Sequence, residues 1–144
     1  MRNCVLLADA DDSVRKMVAR VLSTAGYEVV LAGSAADALA RLRSPAANLV
    51  LLDLETADSA GWSVVGQVYR AASPLPLIVM TSWPNQGTHA ARCGVKELLE
   101  KPLDINCLLQ TLERALSAPN QPPSHRTNSA RQSAPAKLPL EAVS

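Results

Sequence analysis

The sequence has 144 residues, 48% of them hydrophobic and 19% charged, which is enough for one ordinary domain and too little for two sizeable ones. Its 14 basic and 13 acidic residues leave a net charge of +1, and its only aromatic residues are two Trp and two Tyr. This composition excludes a protein that binds nucleic acid mainly through positive charge or through a platform of stacked rings.

Five short apolar runs have the length and composition of strands that are buried on both faces of a sheet. They are Val5–Ala8, Glu28–Ala32, Leu49–Leu54, Leu77–Met80 and a weaker run at Glu97–Leu99.

Segments with helical periodicity separate these runs. The first predicted helix has one apolar face formed by Val14, Met17, Val18, Val21 and Leu22. Ser34 and Asp37 have the spacing of a capping box at the start of a second helix. Three more helices are predicted over residues 62–71, 86–93 and 104–116. Gly26 and Gly94 stand where two of the helices should end.

The composition changes near residue 118. Residues 1–117 carry 11 basic and 12 acidic side chains, whereas residues 118–144 carry three basic and one acidic, together with five of the ten prolines. A segment so poor in apolar residues cannot repay the entropy of ordering. We therefore expect a domain over residues 1–117 and a disordered Pro/Ser-rich tail over residues 118–144.

Strands that alternate with helices predict an α/β fold with a parallel sheet and right-handed crossovers. The count fits a five-stranded doubly wound sheet of the flavodoxin-like type, with strand order 2-1-3-4-5 and five helices. Another order of the same strands remains open at this point. In the 2-1-3-4-5 order, the ligand site lies at the carboxyl ends of strands 1 and 3.

Polar side chains stand at four of the predicted strand ends. Asp9 ends strand 1 and Asp53 ends strand 3, while Thr81 and Ser82 end strand 4 and Lys101 ends strand 5. Because parallel strands end at the same edge of a sheet, these side chains should meet in one crevice. We interpret them as one site.

The chemistry of this crevice favours a cation and a phosphoryl group. Two neighbouring carboxylates, Asp9 and Asp53, repel each other unless a cation lies between them, and hard oxygen ligands suit Mg²⁺. A metal ion, Lys101 and the Thr81 hydroxyl could then surround a phosphoryl group. An enzyme that binds FMN or a nucleotide is the less favoured alternative, because the first loop, Asp9–Ser13, presents acids where a phosphate needs free amides.

Residues 3–117 resemble the receiver domain of two-component response regulators, and in particular a stand-alone, chemotaxis-regulator-like receiver. Four stretches in the right order and spacing carry the resemblance: Val5–Arg15, Asn48–Leu54, Val79–Ser82 and Glu100–Asp104. The resemblance implies a signalling protein rather than an enzyme. It also implies phosphorelay signalling in the cytoplasm.

The resemblance assigns roles to individual residues. Asp53 would be the phosphoacceptor, supplied by a sensor histidine kinase or a phosphotransfer protein, with Thr81 and Lys101 as its hydroxyl and lysine partners. Mg²⁺ would be held by Asp9, Asp53 and the backbone carbonyl of Glu55. The Lys101-Pro102 peptide bond would be cis.

The sequence departs from the family pattern at several places, among them Trp83 after Ser82, which could partly cover the site or offer an exposed contact. Ala10 stands where a second acid usually binds the metal directly, so Mg²⁺ binding should be weakened; Asp11 or the Glu55 side chain could replace it. The loop around Ala57 lacks the usual proline, and Leu98 replaces an aromatic switch residue.

Two functions therefore remain open. The first is a phosphorylated receiver that signals to a downstream protein through the face formed by helix 4, strand 5 and helix 5. The second is a pseudo-receiver, a docking module that phosphorylation does not switch because of Ala10.

Other features predict a reduced, soluble protein. The three cysteines, Cys4, Cys93 and Cys107, lack the spacing of a disulfide framework or a zinc site, and His89 is expected to be an ordinary surface residue. No apolar stretch approaches the ~20 residues of a membrane span, and no signal peptide is evident. We expect no membrane partner and no direct contact with nucleic acid.

Overall fold

The computed structural model describes residues 2–42, 47–55, 61–95 and 97–117, over which strands and helices alternate. The strands are β1 (Cys4–Ala8), β2 (Glu28–Ala32), β3 (Leu49–Asp53), β4 (Leu77–Thr81) and β5 (Glu97–Glu100). The helices are α1 (Asp12–Thr24), α2 (Ala35–Arg41), α3 (Gly61–Ala72), α4 (Gly87–Cys93) and α5 (Ile105–Ser117).

All five strands form one sheet in the order β2-β1-β3-β4-β5, and every neighbouring pair is parallel. In the register of the sheet, Leu6 of β1 lies between Val30 of β2 and Val50 of β3. The structure thus confirms the doubly wound α/β fold and settles the strand order. It also makes β1 and β3 neighbours, so that their carboxyl ends adjoin.

The sheet separates two apolar layers, because successive side chains of a strand point to opposite faces. On one face, Leu6 and Val50 pack with buried residues of α2, α3 and α4, among them Val65 of α3. On the other face, Leu7 and Leu51 pack with buried residues of α1 and α5. We call these the α2–α4 layer and the α1–α5 layer.

Strand boundaries agree with the sequence prediction to within a residue. Leu54 was predicted in strand 3 but lies in a short helical turn after β3, and Asp9 and Lys101 follow their strands rather than ending them. Each of these three positions is where a strand leaves the sheet, which a composition pattern does not mark sharply.

Two predicted burial patterns are wrong. Met17 was placed on the apolar face of the first helix, yet it is 48% exposed, because the fully buried stripe of α1 is narrower and consists of Val18 and Leu22. β2 was expected to be buried on both faces, but Leu31 is 39% exposed because β2 is an edge strand.

The predicted helix ends are confirmed where the structure tests them. The Ser34 hydroxyl accepts a 3.0 Å hydrogen bond from the Asp37 amide, while the Asp37 carboxylate accepts one from Gly33 rather than from Ser34. Gly26 and Gly94 both have positive φ angles, +99° and +78°. The loop around Ala57 and the predicted tail, residues 118–144, lie outside the described residues.

The three cysteines are free. None of the helices that the structure describes has the length and apolar character needed to cross a bilayer.

We expect Gly94→Ala to destabilise the protein more than Gly26→Ala. Both substitutions place a side chain in the left-handed region, at a cost of about 1 kcal/mol. A methyl group at Gly94 would also lie 2.7 Å from the Tyr69 ring, whereas nothing lies within 4 Å of one at Gly26. Urea unfolding of the two variants should therefore differ by about 1 kcal/mol or more. Equal losses would show that the ring moves aside freely.

Candidate functional site

Three charged side chains meet at the carboxyl ends of β1, β3 and β5. The Lys101 Nζ lies 2.9 Å from the Asp53 Oδ1 and 3.5 Å from the Asp9 Oδ2. Both carboxylates are buried, Asp9 completely and Asp53 to all but 4%. The structure thus brings together three of the residues that the sequence placed in one crevice, because all strands of a parallel sheet end at the same edge.

Two carboxylate oxygens in this group lack hydrogen bonds. The Asp9 Oδ2 and the Asp53 Oδ1 are buried and accept none, although the Lys101 ammonium lies close to both. The other Asp9 oxygen, Oδ1, accepts a 2.9 Å hydrogen bond from the Asp11 amide. Both oxygens are instead ion-paired with the single Lys101 ammonium, so two buried carboxylates share one cation.

Burial and charge shift the pKa values of the group. Burial raises the pKa of Asp53 to about 6; the Lys101 contact opposes the rise, and the charges of Asp9 and Glu55 add to it. Burial lowers the pKa of Lys101, but Asp53, Asp9 and Glu55 together raise it above its ordinary value. At neutral pH, Lys101 is therefore protonated and Asp53 is mainly ionised.

The acids of the first loop are engaged elsewhere. The Asp11 carboxylate caps α1 by accepting hydrogen bonds from Ser13 and Val14 at 3.0 and 3.1 Å. Asp12 pairs with Arg15, whose Nη1 also donates to the Asp9 carbonyl at 2.7 Å. Asp11 is thus a helix cap here and does not replace the carboxylate missing at Ala10.

Glu55 turns its carboxylate toward the end of β4. Its Oε2 accepts a 2.7 Å hydrogen bond from the Thr81 hydroxyl, and its Oε1 accepts two from Ser82, from the amide at 3.1 Å and from the hydroxyl at 3.0 Å. The sequence predicts that Glu55 lies near Asp53 and offers its side chain as a substitute metal ligand. Three hydrogen bonds hold it on the hydroxyl side of the site instead.

Thr81 connects several parts of the site. Its hydroxyl is fully buried and accepts a 2.9 Å hydrogen bond from the Trp83 amide while donating to Glu55. Its carbonyl accepts a 2.7 Å hydrogen bond from the Lys101 amide, and the Lys101-Pro102 peptide bond is cis, as expected. Thr81 therefore contacts both the Glu55 carboxylate and the backbone that carries Lys101.

The donor set fits Mg²⁺, but with few protein ligands. Asp9 and Asp53 present two carboxylates, and Mg²⁺ often needs no more than one or two because it keeps several waters. Ala10 is exposed, and its side chain offers no ligand atom. Within residues 2–42, 47–55, 61–95 and 97–117, no group of three or more His, Cys, Asp or Glu side chains could hold a metal ion. The two carboxylates therefore fit an ion that keeps several waters as ligands.

An aromatic contact between α3 and α4 was not predicted. The Trp62 ring stacks on the His89 ring, with centroids 5.9 Å apart, and its Nε1 donates a 2.7 Å hydrogen bond to the Gln86 Oε1. His89 is exposed, as expected of a surface residue. Nearby, Trp83 is 40% exposed, whereas Leu98, at the expected place of an aromatic switch residue, is buried in the core.

A five-stranded doubly wound sheet with acids at the ends of β1 and β3 is the architecture of the signalling modules of two-component systems. The family model described as "Response regulator receiver domain" matches residues 5–113. The chain belongs to this family.

The chain is similar to curated regulators of transcription. It is 34% identical to the transcriptional regulatory protein ZraR of Salmonella typhimurium over 115 residues, 78% of this chain and 26% of that protein. It is 31% identical to the DNA-binding transcriptional regulator NtrC of a Bradyrhizobium species over 119 residues, 81% of this chain and 25% of that protein. The chain thus spans about a quarter of the length of these relatives.

Solved structures agree with the fold. The chemotaxis response regulator CheY4 of Vibrio cholerae matches with a TM-score of 0.71 and 27% identity, over 79% of this chain and 98% of that one. A CheY-like receiver domain protein of Methanospirillum hungatei matches with a TM-score of 0.76 and 21% identity, over 83% and 97% of the two chains. The second similarity concerns the fold alone.

Proposed function

We propose that this receiver domain accepts a phosphoryl group on Asp53 from a sensor histidine kinase or a phosphotransfer protein in the cytoplasm. The observation that carries the proposal is the buried Asp53 carboxylate beside the Lys101 ammonium, 2.9 Å away. A carboxylate that is buried, mainly ionised and paired with a cation can act as a nucleophile whose product charge is already neutralised.

The transfer needs an in-line attack. An Asp53 carboxylate oxygen forms a bond to phosphorus as the P–N bond to the donor histidine breaks, and the electron pair of that bond goes to the departing imidazole. Lys101 lies where it can pair with a phosphoryl oxygen on Asp53. The Thr81 hydroxyl is the proposed donor to another, once it leaves Glu55.

Asp9, Asp53 and the backbone carbonyl of Glu55 are the proposed ligands of Mg²⁺. When bound, the ion would supply positive charge that neutralises the phosphoryl oxygens. The buried carboxylates of Asp9 and Asp53 support the first two of these assignments, because they share the single positive charge of Lys101.

The signal is proposed to leave through the face formed by α4, β5 and α5, which would bind a downstream protein. β5 is an edge strand of the sheet, and its Glu97 pairs with Arg114 of α5 at 3.1 Å. The 2.7 Å hydrogen bond from the Lys101 amide to the Thr81 carbonyl connects the end of β4 to the end of β5.

Phosphorylation is tested by incubating the full chain with acetyl phosphate and Mg²⁺. We expect a mass increase of about 80 Da, located on the peptide that contains Asp53, and none in Asp53→Asn. An adduct that persists in Asp53→Asn would contradict the assignment of the acceptor.

A pseudo-receiver is the second candidate, favoured by the exposed methyl group of Ala10 in place of a metal ligand. In that case the wild type stays unmodified and Ala10→Asp gains the adduct, while Asp53→Ala leaves partner binding unchanged. Ala36→Asp, which adds the same charge at an exposed position of α2, is the matched control and should gain nothing. If none of these proteins gains an adduct, Asp53 is not a phosphoacceptor.

A further inference from the structure

The hydrogen bonds of Glu55 have a consequence for the same site. A carboxylate and a phosphoryl group are both anions whose oxygens accept hydrogen bonds from hydroxyl and amide donors. One oxygen of the Glu55 carboxylate accepts a hydrogen bond from the Thr81 hydroxyl. The other oxygen accepts hydrogen bonds from the amide and the hydroxyl of Ser82. These donors stand at the end of β4, the strand next to the one that carries Asp53.

We propose that Glu55 is an internal competitor of the phosphoryl group: its carboxylate occupies the Thr81 and Ser82 donors and must release them before Asp53 can be phosphorylated. The proposal rests on Asp53 being the phosphoacceptor. It adds Glu55 as the residue that sets how readily the reaction occurs.

The geometry supports competition in two ways. Thr81 has one hydroxyl proton. In the 2.7 Å hydrogen bond this proton is directed at the Glu55 carboxylate, so the hydroxyl cannot donate to a phosphoryl oxygen at the same time. Glu55 also carries a negative charge beside Asp53, which opposes the approach of an anionic phosphodonor.

The arrangement also positions the neighbouring backbone. The Trp83 amide donates to the same Thr81 hydroxyl at 2.9 Å, so Glu55, Thr81 and Trp83 form one chain of hydrogen bonds. Release of Thr81 from Glu55 therefore changes the hydrogen bonding of the residue that holds the backbone of the 40% exposed Trp83.

Glu55→Ala tests the competition by two independent measurements on the full chain. We expect the initial rate of phosphorylation by acetyl phosphate with Mg²⁺ to rise about tenfold, the usual effect of one hydrogen bond to a charged group. The assay is run at about pH 8, where Asp53 is ionised in every variant. In the absence of phosphodonor, the Ser82 amide should exchange its hydrogen at least several-fold faster, measured by NMR.

Two further variants sharpen the test. Glu55→Gln keeps the size of the side chain but only one acceptor oxygen, so its rate should fall between those of the wild type and Glu55→Ala. Asp12→Asn removes the same charge from an acid at the same edge of the sheet whose partners are Arg15 and Lys16, and should change neither measurement.

The possible results distinguish competition by Glu55 from phosphorylation of Asp53. A wild type that is phosphorylated as fast as Glu55→Ala overturns the competition and leaves Asp53 as the acceptor. Unchanged exchange of the Ser82 amide in Glu55→Ala overturns the contact itself. The absence of any adduct on Asp53, in the wild type and in every variant, contradicts the proposed function and the competition with it.

Discussion

Lys101→Met should destabilise the protein at pH 7 by about 3 kcal/mol, because removal of one partner from a buried ion pair leaves the other charges uncompensated. Lys101 is the cation that contacts both Asp53 and Asp9, and its own side chain is only 18% exposed. Methionine keeps the length and the apolar stem. Urea unfolding followed by circular dichroism measures the loss.

Lys16→Met is the matched control. The Lys16 side chain is 73% exposed and pairs with the exposed Asp12 at 3.1 Å, so its removal should cost less than about 0.5 kcal/mol. The loss in Lys101→Met should also shrink as the pH falls to about 5, where Asp53 can take up a proton and relieve the repulsion from Asp9. Equal losses in the two lysine variants would show that the buried carboxylates do not depend on Lys101.

Asp53→Asn should stabilise the protein at pH 7. Burial raises the pKa of Asp53 from 3.8 to about 6, so ionisation of this carboxyl opposes folding. Each pKa unit corresponds to about 1.4 kcal/mol; allowing for solvent screening at the edge of the sheet, we expect a gain of about 2 kcal/mol. For a domain of this size the melting temperature should rise by roughly 10 °C.

The difference in stability between Asp53→Asn and the wild type should depend on pH. Well below pH 3.8 the carboxyl is protonated in both the folded and the unfolded protein, and Asp53→Asn should match the wild type. Between pH 3.8 and about 6 the unfolded protein loses this proton first, so the stability of the wild type relative to Asp53→Asn falls as the pH rises. Above about pH 6 the difference should be constant.

Melting curves at a series of pH values would measure this difference. A variant that is less stable than the wild type at pH 7 would mean that the attraction of Lys101 for the ionised carboxylate outweighs the cost of burial. The double variant Lys101→Met with Asp53→Asn then isolates the coupling between the two side chains.

The fold and most of the site could be predicted from the sequence because both follow from strand ends. Apolar runs of four to six residues locate strands, and a polar residue directly after such a run must lie at the carboxyl edge of a parallel sheet. This rule alone predicts that the side chains of Asp9, Asp53 and Lys101 lie close together. The neighbouring positions of β1 and β3 came from the usual order of such folds, which the structure confirms.

The remaining features depend on three-dimensional detail that a pattern of residues does not carry. Met17 fits the helical period of Val18 and Leu22, but the width of the buried stripe depends on how α1 lies on the sheet. Glu55 was recognised as near Asp53, but the direction of a long flexible side chain is set by its donors. The two hydroxyls at Thr81 and Ser82, ending the adjacent strand, were the available signal.

The division of the core into two layers affects how unfolding can be observed. Trp62 packs against the α2–α4 layer, and the Trp83 ring adjoins Gly61 at the start of α3, whereas Tyr27 is the aromatic residue packed against the α1–α5 layer among the residues described. Intrinsic tryptophan fluorescence is therefore a spectroscopic reporter of one side of the sheet only. Partial melting of α1 or α5 would leave the tryptophan fluorescence unchanged, and Tyr27→Trp would make such melting detectable.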